Sequence, residues 1–352
     1  MRIGLVCGES EVLEEDIKKI CRLFNKLDIR YQLSNTVAKL AGMKGSTIED
    51  MDVDYLIVVG SDRDVLRTLL KLSDREVPVI CISGRRSKGF LAVADIENIP
   101  DVIKELIRRN YIIERRTRIT ALIDGEETPS ALNEIAIFSK LSGKIIRYSL
   151  IINDEFIWRD EADGVIISTP TGSTAYALSA GGPIVKDADV FSIVPVNTLI
   201  PTHKPIVTSS SNKILISDLK PNDSILIIDG QIRKQINTSQ VLIKKAKYPA
   251  KFVKILIDQV GDLDRKLARR SLMRSMEALL LRDLPPSAKL VFKVLEYEGA
   301  LTTREIIAKT NLPARTVSYA LKTLINKGLV IKRSHARDAR KSVYIVNIIN
   351  TK

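Results

Sequence analysis

Residues Asp163 to Val185, DGVIISTPTGSTAYALSAGGPIV, hold the densest set of side chains in this chain that could do chemistry. An apolar run, Val165 to Ile167, leads into Ser168, Thr169, Thr171, Ser173 and Thr174 around Pro170 and Gly172, and the stretch closes on Ala180-Gly181-Gly182-Pro183. A strand that runs into small hydroxyl residues and glycine before a helix presents backbone N–H groups and hydroxyls to a nucleotide. Capping a helix needs one hydroxyl. Five in seven residues leave donors to spare, so the pattern predicts a ligand site rather than an ordinary corner. A second candidate is Gly60-Ser61-Asp62-Arg63-Asp64, which puts a carboxylate on a turn between an apolar strand and a helix. Ala131-Leu132-Asn133-Glu134 by itself reads as a turn before a strand, although an adjacent amide and carboxylate are together able to bind a ribose diol and a base edge.

These residues need elements to hold them. Arg2 to Gly8 reads as a first strand, and Glu11 to Leu27 has helical spacing at Val12, Ile17, Ile20, Cys21, Phe24 and Leu27. Ile29 to Leu33, Tyr55 to Val59 and Val77 to Ile82 read as strands, with a helix from Asp64 to about Leu72; residues 34–52 carry no clear pattern. This order predicts a doubly wound parallel sheet, with ligands beyond the carboxyl ends of its strands, where Gly60 to Asp64 falls. After a helix from Pro100 to Arg109, the pattern changes to short strands with turns, from Ile112–Ile123 through Gln240–Lys244: a β-rich second region.

On these motifs the chain resembles the NAD kinase family, enzymes that phosphorylate the 2′-hydroxyl of the NAD adenosine ribose. DG-x-I-x-STPTGSTAY-x-LSAGGP is close to that family's signature, and Asn133-Glu134 and Ile228-Asp229-Gly230-Gln231 match two further motifs. The resemblance implies a doubly wound domain with a β-sandwich behind it and the nucleotide between them. It implies dinucleotide contacts from Phe90, Asn133, Glu134, Asp163, Thr171, Thr174, Ala175, Tyr176 and Ser179, and a catalytic role for Asp62 if the chain is active. It also exposes departures. Where the family has Gly-Gly-Asp-Gly-Thr, this chain has Gly60-Ser61-Asp62-Arg63-Asp64. Gly89, Phe90 and Leu91 match a second turn, but Arg86 and Lys88 stand where Gly and Leu are usual. A third motif keeps its proline spacing at Pro195 and Pro205, while its Pro-His pair becomes Thr198-Leu199 and its Arg becomes Lys204. Two loops meant for the reacting phosphate have thus become basic. Drift after loss of catalysis explains this, and so does pairing of Arg63 or Arg86 with a phosphate already on the ligand, which would favour NADP over NAD.

The net charge of +13 is uneven: residues 285–352 hold thirteen Lys and Arg against four Asp and Glu. A basic tail on a nearly neutral body suggests a polyanion partner, most simply double-stranded DNA. Ser287 to Tyr297, a Thr-capped segment from Leu301 and Ala314 to Lys327 read as three helices, followed by two strands around the loop from Ser334 to Lys341. This order resembles a winged helix-turn-helix of archaeal regulator type. The third helix would present Arg315, Thr316, Ser318, Tyr319 and Lys322 to the major groove, and Arg337, Arg340 and Lys341 of the wing would reach phosphates or the minor groove. Ile257 to Leu281 reads as a connecting helix, free to pair with its copy in a dimer or to dock on its own domain. Cys7, Cys21 and Cys81 lack metal-ligand spacing and sit in apolar settings, as expected of reduced thiols in a cytoplasmic protein. No apolar run is long enough to span a membrane.

The expected organisation is an α/β region over residues 1–110, a β-rich region over 111–256, a connector over 257–284 and a winged helix over 285–352. The expected function is a regulator that senses NAD(H), NADP(H) or a related adenine nucleotide and works as a homodimer or homotetramer. The alternative is an active kinase, using ATP and magnesium, with a DNA-binding tail; no structural metal is expected.

Overall fold

The computed structural model describes residues 1–8, 12–85, 89–141, 143–255, 284–298, 301–335 and 338–346. The chain forms two compact units, Met1–Leu256 and Ile257–Lys352. Among the described residues no helix is long and apolar enough to cross a membrane.

The first unit opens with β1 (Arg2–Cys7), α1 (Glu14–Lys26), β2 (Arg30–Leu33), α2 (Asn35–Ala41), β3 (Tyr55–Gly60), α3 (Asp62–Leu72), β4 (Val79–Ser83), β5 (Ala94–Asp95), α4 (Ile99–Ile107) and β6 (Tyr111–Arg116). The sheet runs β2-β1-β3-β4 in parallel. Its strands alternate inward residues to both faces, so each face needs its own cover. Ile3, Leu5, Ile57, Val59, Ile80 and Ile82 pack under α1, α2 and α4, while Leu56, Val58, Val79 and Cys81 pack under Val65, Leu66, Leu69 and Leu72 of α3. The stretch at 34–52, without a legible pattern in sequence, contains α2, a seven-residue helix ended by Gly42 at φ +66°. It is too short to display a period.

The β-rich part comprises β7 (Ile119–Ile123), β8 (Glu126–Glu127), β9 (Glu134–Ser139), β10 (Ile146–Ile152), β11 (Glu155–Ala162), β12 (Gly164–Ser168), α5 (Tyr176–Ser179), β13 (Val190–Val196), β14 (Ile206–Ser209), β15 (Ile214–Ser217), β16 (Ser224–Ile228), β17 (Ile232–Ile236) and β18 (Val241–Lys245). Two sheets, β11-β10-β15-β18-β7-β8 and β14-β13-β12-β9-β16-β17, enclose one core around Tyr148, Phe191 and Ile135. The run expected as one strand over Ile112–Ile123 breaks at Thr117-Arg118: β6 stays with the first sheet and β7 belongs to the second region. A last strand, β19 (Ala250–Ile255), returns to the first sheet, parallel to β4 and antiparallel to β6. The first sheet therefore extends past residue 110 and is finished by residues from beyond the sandwich.

In the second unit, α6 (Pro286–Glu298), β20 (Leu301–Thr302), α7 (Thr303–Thr310), α8 (Ala314–Asn326), β21 (Val330–His335) and β22 (Asp338–Val346) form three helices and a small sheet, β20-β22-β21. The core is Ala288, Val291, Phe292, Leu295, Ile306, Val317, Ala320, Leu321 and Leu324. Thr302 caps α7, and its backbone N–H donates to Glu305 (2.7 Å), completing a capping box. Ile325 and Leu290 are 37% and 42% exposed, and Ala320 and Phe292 supply inward contacts of their helices. The two wing strands run further than expected, to His335 and from Asp338. The connector expected over 257–284 lies outside the described residues, apart from Leu284.

Candidate nucleotide cleft and candidate DNA-facing helix

The segment Ser130 to Glu134 has almost no regular structure, yet nearly every backbone group in it is tied. Asp229 sits at the tip of the β16–β17 hairpin, and its carboxylate accepts the N–H groups of Leu132 (2.8 Å), Asn133 (2.7 Å) and Glu134 (3.2 Å). The hydroxyl of Thr169 donates to the Leu132 carbonyl (2.6 Å), and its N–H donates to the Asn133 carbonyl (2.8 Å). Buried Arg118 donates to the Ser130 carbonyl and, at the other end, to the Ser73 carbonyl closing α3 (2.7 Å). Burial pushes the Asp229 carboxyl up to about 6; the three backbone N–H groups and the Arg118 charge act against that rise. The hairpin needs positive φ at Asp229 (+49°) and Gly230 (+64°), which explains the Asp-Gly dipeptide. In sequence that dipeptide reads only as a turn. Its second job, holding Asn133 and Glu134, was visible only in the fold.

Strands β9 and β12 pair so that Glu134 stands opposite Ser168, and the hydroxyl-rich segment leaves β12 beside it. Gly172 lies against the Asn133 backbone so closely that a Cβ there would sit 2.0 Å from the carbonyl oxygen. The hydroxyls counted in sequence as spare donors are largely spent on the loop itself. Ser168 donates to the Thr169 carbonyl (2.9 Å), and Ser173 donates to the Pro170 carbonyl (2.7 Å) and accepts the Val185 N–H (3.0 Å). Thr174 is buried, while Thr171 is half-buried and Ala175 likewise. The stretch then folds back over β12: the exposed Tyr176 ring stacks on Phe138, with centroids 5.9 Å apart and planes at 19°. Gly164 makes room, since a Cβ there would strike the Phe138 ring. Burial raises the Tyr176 phenol, and the negative charges of Glu134 and Asp163 raise it further. Asp163 is held by the Asn197 amide (2.8 Å), and Ser179 is exposed on the last turn of α5.

The other wall comes from the parallel sheet. Asp62 opens α3, and its carboxylate accepts the N–H groups of Phe90 (2.9 Å) and Leu91 (2.9 Å), which docks that loop onto the helix start. Arg63 does not lie idle: its Nε approaches Gln231 Oε1 (3.4 Å), and Arg67, one turn on, donates to the same oxygen (2.9 Å). Gln231 directly follows the Asp229-Gly230 turn, so a polar chain joins the two walls. Arg67 and Arg118 are residues that the motif reading passed over, while Thr169, Asp229 and Gln231 were named as motif members without these partners. Arg86 lies outside the described residues, and Arg85 of the same loop turns to Asp16 of α1 (2.6 Å), holding that carboxyl below the usual range. The altered loop after β13 is absorbed into packing: Thr198 donates to fully buried Asp160 (2.6 Å), and the His203 ring stacks on Trp158 (4.6 Å) with Nδ1 3.1 Å from Asp160.

On the second unit, α8 buries Val317, Ala320, Leu321 and Leu324 and turns Arg315, Ser318, Tyr319 and Lys322 outward; Thr316 is half-buried. Ser318 and Lys322 share a groove of about 200 Å³ with Thr303 of α7 and with Lys332 and Tyr344 of the wing strands. Arg337 lies outside the described residues, and Arg340 and Lys341 are described only as backbone positions of β22.

The fold is thus a doubly wound α/β sheet joined to a β-sandwich, followed by a winged helix. Residues 16–111 match the ATP-NAD kinase N-terminal domain and residues 132–255 its C-terminal domain, while 282–341 match the MarR family. The NAD kinase of Methanothermobacter thermautotrophicus is 32% identical over 275 residues, covering 76% of this chain and 96% of that one. The NAD kinase of Methanosarcina acetivorans is 35% identical over 263 residues, covering 72% and 94%. The crystal structure of an NAD kinase from Archaeoglobus fulgidus in complex with ATP superposes with a TM-score of 0.65 at 28% identity, covering 76% of this chain and 99% of that one. Yeast NADH kinase complexed with NADH shares the fold, with a TM-score of 0.66 at 20% identity over 76% and 86%. The chain belongs to the NAD kinase family, and it carries a MarR-family winged helix at its C-terminal end.

Proposed function

We propose that this chain is a ligand-responsive, DNA-binding transcription regulator whose kinase-type body senses NAD(H), NADP(H) or a related adenine nucleotide. The observation that carries the reading is an asymmetry across the cleft. The wall that would hold the dinucleotide, residues 130–134 with 169–179, is braced by Asp229, Thr169 and Gly172. The opposite wall has Ser61, Arg63 and Asp64 where the family motif that the chain resembles has Gly, Gly and Thr, and Arg63 reaches across to Gln231. A fixed amide and carboxylate at Asn133 and Glu134 suit a ribose diol and a base edge, and Tyr176 offers a ring face beside them. Phe90, Asp163, Thr171, Thr174, Ala175 and Ser179 complete the contact set, with Arg63 or Arg86 on a 2′-phosphate. Arg315, Thr316, Ser318, Tyr319 and Lys322 would read DNA, with Arg337, Arg340 and Lys341 on phosphates. Ligand would act by changing the angle or spacing of two winged helices in a cytoplasmic homodimer or homotetramer.

The second reading, an active kinase with a DNA-binding tail, is favoured by Asp62, which stands at the start of α3 against the Phe90–Leu91 loop. One experiment separates them. A coupled assay for NADP formation from ATP, magnesium and NAD is expected to give no turnover above background, while calorimetry detects dinucleotide binding and NADP binds tighter than NAD. Turnover that Asp62→Asn abolishes establishes the kinase instead.

A further inference from the structure

The sheet order β2-β1-β3-β4 reverses direction between β1 and β3, so a crevice opens at their carboxyl ends, the place where doubly wound sheets receive anionic ligands. Both strands reach it with a glycine: Gly8 just after β1 and Gly60 at the end of β3. They are tied together, the Gly8 N–H donating to the Val59 carbonyl (3.1 Å). A phosphate would find open backbone here, beside the first turn of α3.

The crevice is already filled by a carboxylate. Asp64 accepts the Ser61 N–H (2.9 Å) and the Ser61 hydroxyl (2.7 Å) on Oδ2. A Cβ on Gly60 would lie 2.6 Å from that oxygen, and a Cβ on Gly8 would lie 2.7 to 2.9 Å from the carboxylate atoms. Helix capping accounts for the Ser61 bonds, but not for two glycines on two separate strands pressing on the same group; capping boxes also favour the longer Glu or Gln at this position. The carboxylate thus lies at the first turn of α3 and packs against two glycines on separate strands.

We propose that Asp64 is a specificity-determining residue: its carboxylate takes the position of a phosphate at the β1–β3 switch point and shuts polyphosphate donors out of that half of the cleft. This rests on the reading of the cleft as a nucleotide site and deepens it, since it gives the physical reason why a dinucleotide can enter while a triphosphate is refused. Exclusion is both steric and electrostatic, because an incoming phosphate would meet a like charge inside hydrogen-bond distance.

The test is calorimetry on the full-length protein with sodium tripolyphosphate and, separately, with NADP. Asp64→Thr removes the carboxylate and keeps a hydroxyl cap; it is expected to bind tripolyphosphate at least about tenfold tighter than the unaltered chain, about 1.4 kcal/mol. Asp64→Asn keeps the size and loses the charge, and is expected to gain at least about threefold. If the threonine variant has a collapsed melting transition, the asparagine variant decides alone. Tripolyphosphate affinities equal in the unaltered chain and the folded variants overturn the proposal. NADP affinity is expected to stay the same in all three proteins. If none binds NADP, the sensor reading fails, while the tripolyphosphate comparison still decides what Asp64 does.

Discussion

At the scale of single residues, the acid that organises the cleft is Asp229 rather than Asp62. It is fully enclosed, and its carboxylate bonds to three successive N–H groups of the segment that carries Asn133 and Glu134. Its carboxyl holds a proton up to about 6 in the folded chain, against an ordinary aspartate value of 3.8. Between those values the folded state binds more protons than the unfolded one, so stability falls as pH rises through that window. The expected loss is on the order of 3 kcal/mol. Denaturant unfolding at a series of pH values between 4 and 6.5 checks it: the stability of the unaltered chain is expected to fall, relative to that of Asp229→Asn, as pH rises. A variant with the same slope would mean that Asp229 is not the titrating group. Asp229 was legible as a turn residue, because Asp-Gly is a local signal. Its bonds to residues about a hundred positions away had no local signature.

Among the elements, the hydroxyl-rich loop shows how a motif can be right in place and incomplete in meaning. Composition marked 168–174 as a site because it holds more donors than a cap needs. Ser168, Thr169 and Ser173 use those donors to fix the loop's own path, and Thr169 extends the bracing to Leu132 and Asn133. These bonds fix the path of the loop, and in the proposed sensor Thr171 and the fold-back to Tyr176 would be the part left to face a ligand. Gly172→Ala should therefore act on the segment rather than on any ligand atom. Its Cβ would meet the Asn133 carbonyl at 2.0 Å, so the two loops must part. We expect a cost of about 1–3 kcal/mol, read as a lower melting temperature together with a loss of dinucleotide affinity. A variant that binds as before would show that the Gly172–Asn133 contact is dispensable. Helix α8 makes a contrasting case: its outward row of Arg315, Ser318, Tyr319 and Lys322 follows from helical period alone, once Val317, Leu321 and Leu324 are recognised as inward. Lys332 and Tyr344 join Lys322 around one groove only because the wing strands fold beside the helix. Lys322→Ala is expected to weaken DNA binding evenly across sequences and to lower the salt slope by about 1, measured by fluorescence anisotropy at several salt concentrations.

For the molecule as a whole, the uneven charge gives a direct expectation. Nine of the thirteen net positive charges belong to residues 285–352, so affinity for duplex DNA should fall steeply and log-linearly with added salt. Anisotropy titrations from low to physiological salt measure this; an affinity independent of salt would rule out phosphate contacts as its source. The sequence by itself determined the family, both motifs of the candidate site, the run of parallel strands and the basic winged helix. Each of these is written in residues close together in the chain: a motif, a period or a local charge balance. Only the tertiary structure decided that β19 crosses back to complete the first sheet, that Arg63 and Arg67 meet one amide of Gln231, that Asp229 holds Asn133 and Glu134, and that the Asp64 carboxylate lies between Gly8 and Gly60. The physical reason is common to all four. They are contacts between residues far apart in sequence, set by how strands order themselves in a sheet and by which backbone groups burial leaves in need of a partner, and no local pattern records either.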